Sequence, residues 1–118
     1  MDELEPLIGK AINADEKSLY YLIGKVEFSR ELGVSPPSFD EILERGRMAF
    51  SHFDTRIRAI ICTEDFARRI QNIDTDNRKK LCIAIAEAIA VLNGLPFAVF
   101  ASVIIVRAGY LEYCHFEK

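Results

Sequence analysis

Two apolar runs, residues 81–92 and 96–106, dominate the C-terminal third of the chain. The large apolar residues of the first run recur at helical spacing and share one face: Leu81, Ile85, Ile89 and Leu92. Asn93-Gly94 is a typical helix stop, because glycine adopts a positive φ without a steric penalty. Pro96 suits the first turn of a following helix, where its missing N–H removes no hydrogen bond. The pattern therefore predicts a helix, a short turn and a second apolar element.

The second run admits two interpretations. It is rich in β-branched residues such as Val103, Ile104 and Ile105, which favour strands. Its length favours a helix, because no turn signal occurs before Gly109. A helix would also place a strip of mostly small residues against the neighbouring helix: Ala98, Ser102, Ile105 and Gly109. We therefore predict an all-α fold with a buried C-terminal helical hairpin, and the alternative is an α+β fold with a strand at 97–106.

The upstream segments are more charged and amphipathic, and they predict one helical domain over residues 1–118 with five to seven helices. Helical patterns cover residues 1–13, 14–33 and 38 to about 52, and residues 56–62 fit either a helical face or a short strand. The expected inward-facing residues of the first three segments are Leu4, Leu7, Ile8, Ala11 and Ile12; Leu19, Leu22, Ile23 and Val26; and Phe39, Ile42, Leu43, Phe50 and Phe53. Gly24 weakens its helix by about 1 kcal/mol relative to alanine, which indicates close packing against a neighbour.

Short polar signals mark the helix boundaries. Ser38-Phe39-Asp40-Glu41 is a capping box, and Thr63 before two acids marks a further helix start. One of Asp74, Thr75 and Asp76 is expected to cap the helix of the first apolar run. Gly33 is the expected end of the second helix, and the segment Val34-Ser35-Pro36-Pro37 is read as a rigid connector.

Composition places the chain among ordinary globular proteins, since half of its 118 residues are hydrophobic and 28% are charged. Each apolar run offers only about a dozen residues, whereas a membrane-spanning helix needs about 20, so we expect no integral membrane span. The N-terminus is acidic and lacks the pattern of a signal peptide, so we expect a cytoplasmic location. No phosphate-binding glycine motif occurs, and we expect no cofactor.

The three cysteines, Cys62, Cys82 and Cys114, are far apart in sequence and odd in number. Together with the expected location, this predicts free, buried thiols rather than disulfides. No Cys or His pair has the spacing of metal ligands, so no metal site is expected. We assign no catalytic residue. A thiol-dependent enzyme with Cys62 as nucleophile is the alternative, and His52 and Asp54 would have to converge on Cys62 through folding.

The net charge of −3 is unevenly distributed. Residues 1–47 carry ten acidic against six basic residues, whereas residues 48–80 carry seven basic against five acidic residues. We define the basic band as the candidate partner-binding set Arg56, Arg58, Arg68, Arg69, Arg78, Lys79 and Lys80. Its expected partner is an acidic protein, including the acidic first half of another copy. Nucleic-acid binding through Arg56–Lys80 is an alternative, against which the interleaved acids and the negative total charge argue.

The apolar hairpin offers more surface than the short upstream helices are expected to cover. The candidates for an exposed apolar interface are Phe97, Phe100, Ile104, Tyr110 and Tyr113. Such a surface predicts a homodimer, a larger assembly or a groove for a helical partner. In size and helical make-up the chain is similar to small bacterial accessory proteins, including immunity and antitoxin proteins, although this similarity carries over no residue. The expected function is non-enzymatic protein binding, with an accessory or regulatory role.

Overall fold

The computed structural model describes residues 4–29, 37–73 and 77–115, and this part of the chain is all-α. Its helices are α1 (Leu4–Ala11), α2 (Glu16–Ser29), α3 (Phe39–Ile61), α4 (Glu64–Ile70), α5 (Arg78–Asn93), α6 (Leu95–Ala108) and α7 (Tyr110–Cys114). The all-α prediction is confirmed. The alternative with a strand at 97–106 is wrong, because these residues lie inside α6. Among the described helices, none is both long enough and apolar enough to cross a membrane.

The predicted C-terminal hairpin consists of α5 and α6. Gly94, with a φ of 88°, ends α5 and starts α6, whose first turn contains Pro96. Every residue of α6 from Phe97 to Ile105 except Phe100 is buried. Because α6 is surrounded by other helices, packing outweighs the strand preference of its β-branched residues. At the predicted small strip, Cys82 Sγ lies 4.0 Å from the Ser102 carbonyl oxygen, so α5 and α6 approach closely.

A single apolar cluster takes residues from all seven of these helices. Its largest fully buried side chains include Leu4, Ile8, Leu19, Ile23, Ile57, Ile61, Ile85, Ile89, Phe97 and Ile105. Two residues expected to face inward do not, since Leu7 is 41% and Phe39 49% exposed. Leu7 lies beside the buried stripe of α1, which consists of Leu4, Ile8 and Ala11. Phe39 lies in the first turn of α3 and stacks on the ring of Tyr21 at the surface, with 4.7 Å between centroids.

Two glycines let α2 and α3 cross with their backbones in contact. A Cβ built on Gly24 of α2 would overlap the backbone carbonyl of Ile42, and one built on Gly46 of α3 would overlap that of Tyr20. Both positions would leave less than 3.0 Å, which real Cβ atoms essentially never show. The close packing predicted for Gly24 is therefore confirmed, and Gly46 is its counterpart on the facing helix.

Helix α3 is longer than its pattern predicts. It runs for 23 residues, so the expected end near His52 and the separate element at 56–62 are wrong. Asp54 lies in the middle of α3 and accepts a hydrogen bond from Arg58 one turn further on, at 2.8 Å. Because the Asp54 carboxylate accepts this hydrogen bond within the helix, it does not bond to nearby backbone N–H groups and interrupt the helix.

The helix caps agree with most of the local signals. Ser38 Oγ accepts from the Glu41 N–H at 3.2 Å, and Thr63 Oγ1 accepts from the Phe66 N–H at 3.1 Å, as predicted. The cap of α5 is Asn77, whose Oδ1 accepts from the Lys80 N–H at 3.1 Å. Asp74, Thr75 and Asp76, which were predicted for this role, lie outside the described residues, as do Gly33 and most of the proline connector.

Candidate functional site

The last described helix, α7, is attached to α3 through a polar cluster of Asp54, Arg58 and Tyr113. Tyr113 donates its hydroxyl to Asp54 Oδ1 at 2.5 Å, and Arg58 Nε donates to Asp54 Oδ2 at 2.8 Å. Arg58 also donates to the Tyr113 carbonyl oxygen, and its guanidinium lies 4.1 Å from the centre of the Tyr113 ring. The hydrogen bond that Arg58 donates to Asp54 raises the pKa of Arg58. Burial, followed by the hydrogen bond that Tyr113 donates to Asp54, raises the pKa of Tyr113. The cluster therefore keeps Arg58 charged and Tyr113 neutral at neutral pH.

A second contact joins α7 to the junction between α3 and α4. Tyr110 is buried and donates its hydroxyl to the Ile61 carbonyl oxygen near the end of α3. Its ring lies 6.0 Å from that of Phe66, the one buried residue of α4. Burial raises the pKa of Tyr110, so its hydroxyl remains a donor. Tyr110 thus connects α7 with α3 and α4 together.

The third link is covalent, because Cys62 and Cys114 form a disulfide with 5.3 Å between their Cα atoms. The prediction of three free thiols is therefore wrong for these two residues. They are 52 positions apart, and no spacing in the sequence indicates a pair that only folding brings together. In this structure the Cys62 sulfur is bonded to that of Cys114, so it is not the free thiol that the thiol-enzyme alternative needs.

Cys82 is the free cysteine among the described residues, and it is fully buried between α5 and α6. Burial raises the pKa of its thiol to about 11. At neutral pH the sulfur is therefore a protonated core atom rather than a nucleophile. Within the described part of the chain, no three His, Cys, Asp or Glu side chains lie close enough together to hold a metal ion.

A concave apolar surface lies between α4 and α7, and we call it the α4–α7 groove. It encloses about 410 Å³. Its apolar lining comes from four helices and the turn after α4: Ala67, Ile70, Ile73, Leu81, Val106 and Leu111. None of these six side chains is fully buried, and Leu111 is 38% exposed. Arg78 and Glu112 supply charges in the lining, so the groove combines an apolar floor with a few polar groups.

A second groove lies between α4 and α5 and encloses about 540 Å³. It shares Ile70 and Ile73 with the first groove, but its lining also includes Asp65, Arg69 and Glu87. This mixture of charges makes it the more polar of the two. Helix α4 therefore has a depression on each side, and the depression towards α7 is the apolar one.

The structure places the predicted basic band in several different environments. Three members pair with carboxylates of the same chain: Arg58 with Asp54 at 2.8 Å, Arg68 with Asp65 at 2.7 Å and Lys79 with Glu5 at 3.3 Å. Arg56 and Arg69 lie over the rings of Phe53 and Phe66, each at 5.6 Å from the centroid. Arg78 lines the α4–α7 groove, and Lys80 is exposed. Arg58 thus acts within the fold, whereas Arg78 is the band member that borders the apolar groove.

The predicted apolar interface residues lie mainly inside the molecule. Phe97 is fully buried, Ile104 and Tyr110 are 8% and 6% exposed, and Phe100 and Tyr113 are half-buried. Phe97, Ile104 and Tyr110 are therefore not exposed in this subunit, contrary to the expectation for the hairpin surface, whereas Phe100 and Tyr113 are partly accessible. The sequence reasoning missed the groove. The one local sign of the groove in the sequence is the spacing in α7. Tyr110, Tyr113 and Cys114 share one face of this helix, so Leu111 lies on a different face.

Comparison of this chain with family models, with curated proteins and with solved structures finds no match.

Proposed function

We propose that this chain is a non-enzymatic protein-binding module that associates with a second copy of itself through the α4–α7 groove. The observation that carries the proposal is the cluster of six incompletely buried apolar side chains at one concave site. Concave apolar surfaces with a few polar groups are typical of binding sites. The groove, rather than the hairpin surface, is therefore the candidate interface.

The chemistry of the described side chains supports binding more than catalysis. The sulfur of Cys62 is in a disulfide, and that of Cys82 is buried and protonated. Hydrogen bonds join Asp54, Arg58 and Tyr113 to one another. This cluster therefore supports a role in positioning α7 more than a role in binding a substrate. Among the described residues, no buried side-chain nitrogen or oxygen lacks a hydrogen-bond partner.

Charge distribution supports a second copy as the occupant. Basic residues surround α4 and the start of α5, with Arg68, Arg69, Arg78 and Lys80 all exposed. The first 47 residues are acidic in excess. At the start of α3, Phe39 is 49% exposed and is followed by Asp40 and Glu41. An apolar side chain beside two carboxylates complements an apolar groove bordered by arginine, and another copy of this chain presents that combination.

The proposal is tested by light scattering over a range of protein concentrations, with variants in the groove and outside it. Leu111→Glu introduces a charge at a partly exposed position of the groove, and we expect it to weaken association at least about tenfold. Phe39→Ser should weaken association as well, because it removes the proposed apolar contact. Val91→Glu is the matched control, since Val91 is 83% exposed on α5 and does not line the groove.

Two outcomes would refute self-association through this site. A dissociation constant of about 1 mM corresponds to only about 4 kcal/mol, so a wild-type chain that is monomeric at that concentration does not self-associate usefully. Equal effects of Leu111→Glu and Val91→Glu would place any interface elsewhere. Because the proposed contact includes charge complementarity, association should also weaken as the salt concentration rises.

A further inference from the structure

We propose that the Cys62–Cys114 disulfide is a redox-controlled tether that holds α7 as one wall of the α4–α7 groove. The tether is supported by the position of the disulfide, the short length of α7 and the partial exposure of the two cysteines. Its effect on binding rests on the function proposed above. In the oxidised chain the wall is fixed in the observed position, and in the reduced chain α7 is free to move away from α3.

The disulfide joins the end of α7 to the junction between α3 and α4, although neither cysteine lines the groove itself. Cys62 is the C-cap of α3 and directly precedes Thr63, the N-cap of α4. Cys114 is the last residue of α7. Residues of α4 line one side of the groove, and Gly109 to Glu112 line the other. The bond therefore determines how far the wall formed by α7 can move from the wall formed by α4.

Helix α7 depends on this attachment because it is very short. It has five residues and is separated from α6 by Gly109, whose φ is 100°. An isolated helix of that length is not stable in water. Without the disulfide, α7 is held by the Tyr110 and Tyr113 contacts to α3 and α4 described above. These contacts can reform, so we expect reduction to produce local opening of α7 rather than loss of the fold.

The two sulfurs are placed differently from that of Cys82. Both Cys62 and Cys114 are half-buried, whereas Cys82 is fully buried. Thiol–disulfide exchange requires a thiolate to reach one sulfur of the bond. A small-molecule thiol, RSH, attacks one sulfur as its thiolate, forms a mixed disulfide and releases the other cysteine, which takes up a proton. A second RSH displaces the first cysteine and leaves as RSSR. Two electrons and two protons thus pass from two RSH to Cys62 and Cys114.

The test uses the full chain with and without a small thiol reductant, under native conditions. Mass spectrometry after alkylation counts reactive thiols, and amide hydrogen exchange reports the opening of residues 110–114. We expect reduction to add two alkylated cysteines, at Cys62 and Cys114, and to raise exchange in residues 110–114 at least tenfold. Exchange in the α5–α6 core should not change. The Cys62→Ser/Cys114→Ser variant should show the faster exchange under both conditions, whereas Cys82→Ala should respond as the wild type does.

The outcomes separate the tether from the binding function. Unchanged exchange in residues 110–114 on reduction, or an equal increase throughout the chain, overturns the tether. If exchange responds as expected and reduction also weakens association by at least fivefold, both proposals are supported. If exchange responds but the oxidised chain never associates, the proposed function fails and the tether stands.

Discussion

The crossing of α2 and α3 predicts opposite effects for one substitution, glycine to alanine, at different positions in the helices. In a helix interior with free space, alanine is more favourable than glycine by about 1 kcal/mol. At Gly24 and Gly46 there is no space, because the added Cβ would overlap a backbone carbonyl of the facing helix. A backbone atom cannot rotate away as a side chain can, so the two helices must separate. The steric cost should therefore exceed the gain in helix propensity.

The expected magnitude follows from these opposing terms. Overpacking of a close interface costs about 1–3 kcal/mol and sometimes more. Here separation of α2 and α3 would also loosen Ile23 and Ile42, which lie next to the crossing and are buried. We expect Gly24→Ala and Gly46→Ala each to lower the free energy of unfolding by about 2–3 kcal/mol. For a domain of this size, that corresponds to a loss of ~10 °C in Tm.

Gly9 in α1 provides the matched control. A Cβ at this position would meet only the end of the Lys79 side chain, at 3.7 Å from Nζ, which is ordinary van der Waals contact. Gly9→Ala should therefore stabilise the protein by roughly 0.5–1 kcal/mol. Urea unfolding followed by far-ultraviolet circular dichroism measures all three variants on one scale. If Gly24→Ala or Gly46→Ala stabilises the chain as Gly9→Ala does, α2 and α3 do not cross at these glycines.

Three further predictions concern stability. Removing the disulfide with Cys62→Ser/Cys114→Ser should lower the unfolding free energy by up to about 4 kcal/mol, because the bond closes a loop of 52 positions. Equal urea midpoints for this variant and the oxidised wild type would contradict that expectation. Thr63→Ala should lower the free energy of unfolding by about 1 kcal/mol, because it removes the side-chain cap of α4. Thr63→Ser should retain most of the wild-type stability, because serine keeps the capping hydroxyl. Identical unfolding curves for the two variants would exclude a stabilising cap. The pKa of Cys82 is raised by burial to about 11 in the folded chain, from an ordinary value of 9.0. Its contribution to stability is therefore complete below pH 9 and lost as the pH rises towards 11, by about 1.4 kcal/mol per pH unit. Unfolding measured at several alkaline pH values should show a shallower loss for Cys82→Ala than for wild type, and parallel losses would show that this thiol does not ionise on unfolding.

The sequence by itself determined the features that depend on neighbours a few positions away. Ser38 and Thr63 cap their helices through the N–H three residues on, and Gly94 with Pro96 defines the turn between α5 and α6. The helical hairpin at the C-terminus was predictable for the same reason, since its period and its stop signal are local. Close packing at Gly24 was also predictable from the sequence, because a glycine inside a helix lowers the stability of that helix and close packing can offset the loss.

The tertiary structure alone decided which distant residues meet. Cys62 reaches Cys114, and Asp54 reaches Tyr113 across 59 positions, through the way in which α7 folds back on α3. It also decided which apolar side chains are covered, since Phe97 is buried whereas Leu111 remains partly exposed in the groove. Periodicity assigns a residue to a face of its own helix. Whether another helix covers that face depends on the packing of the whole chain, and the candidate binding site of this protein therefore became visible only in three dimensions.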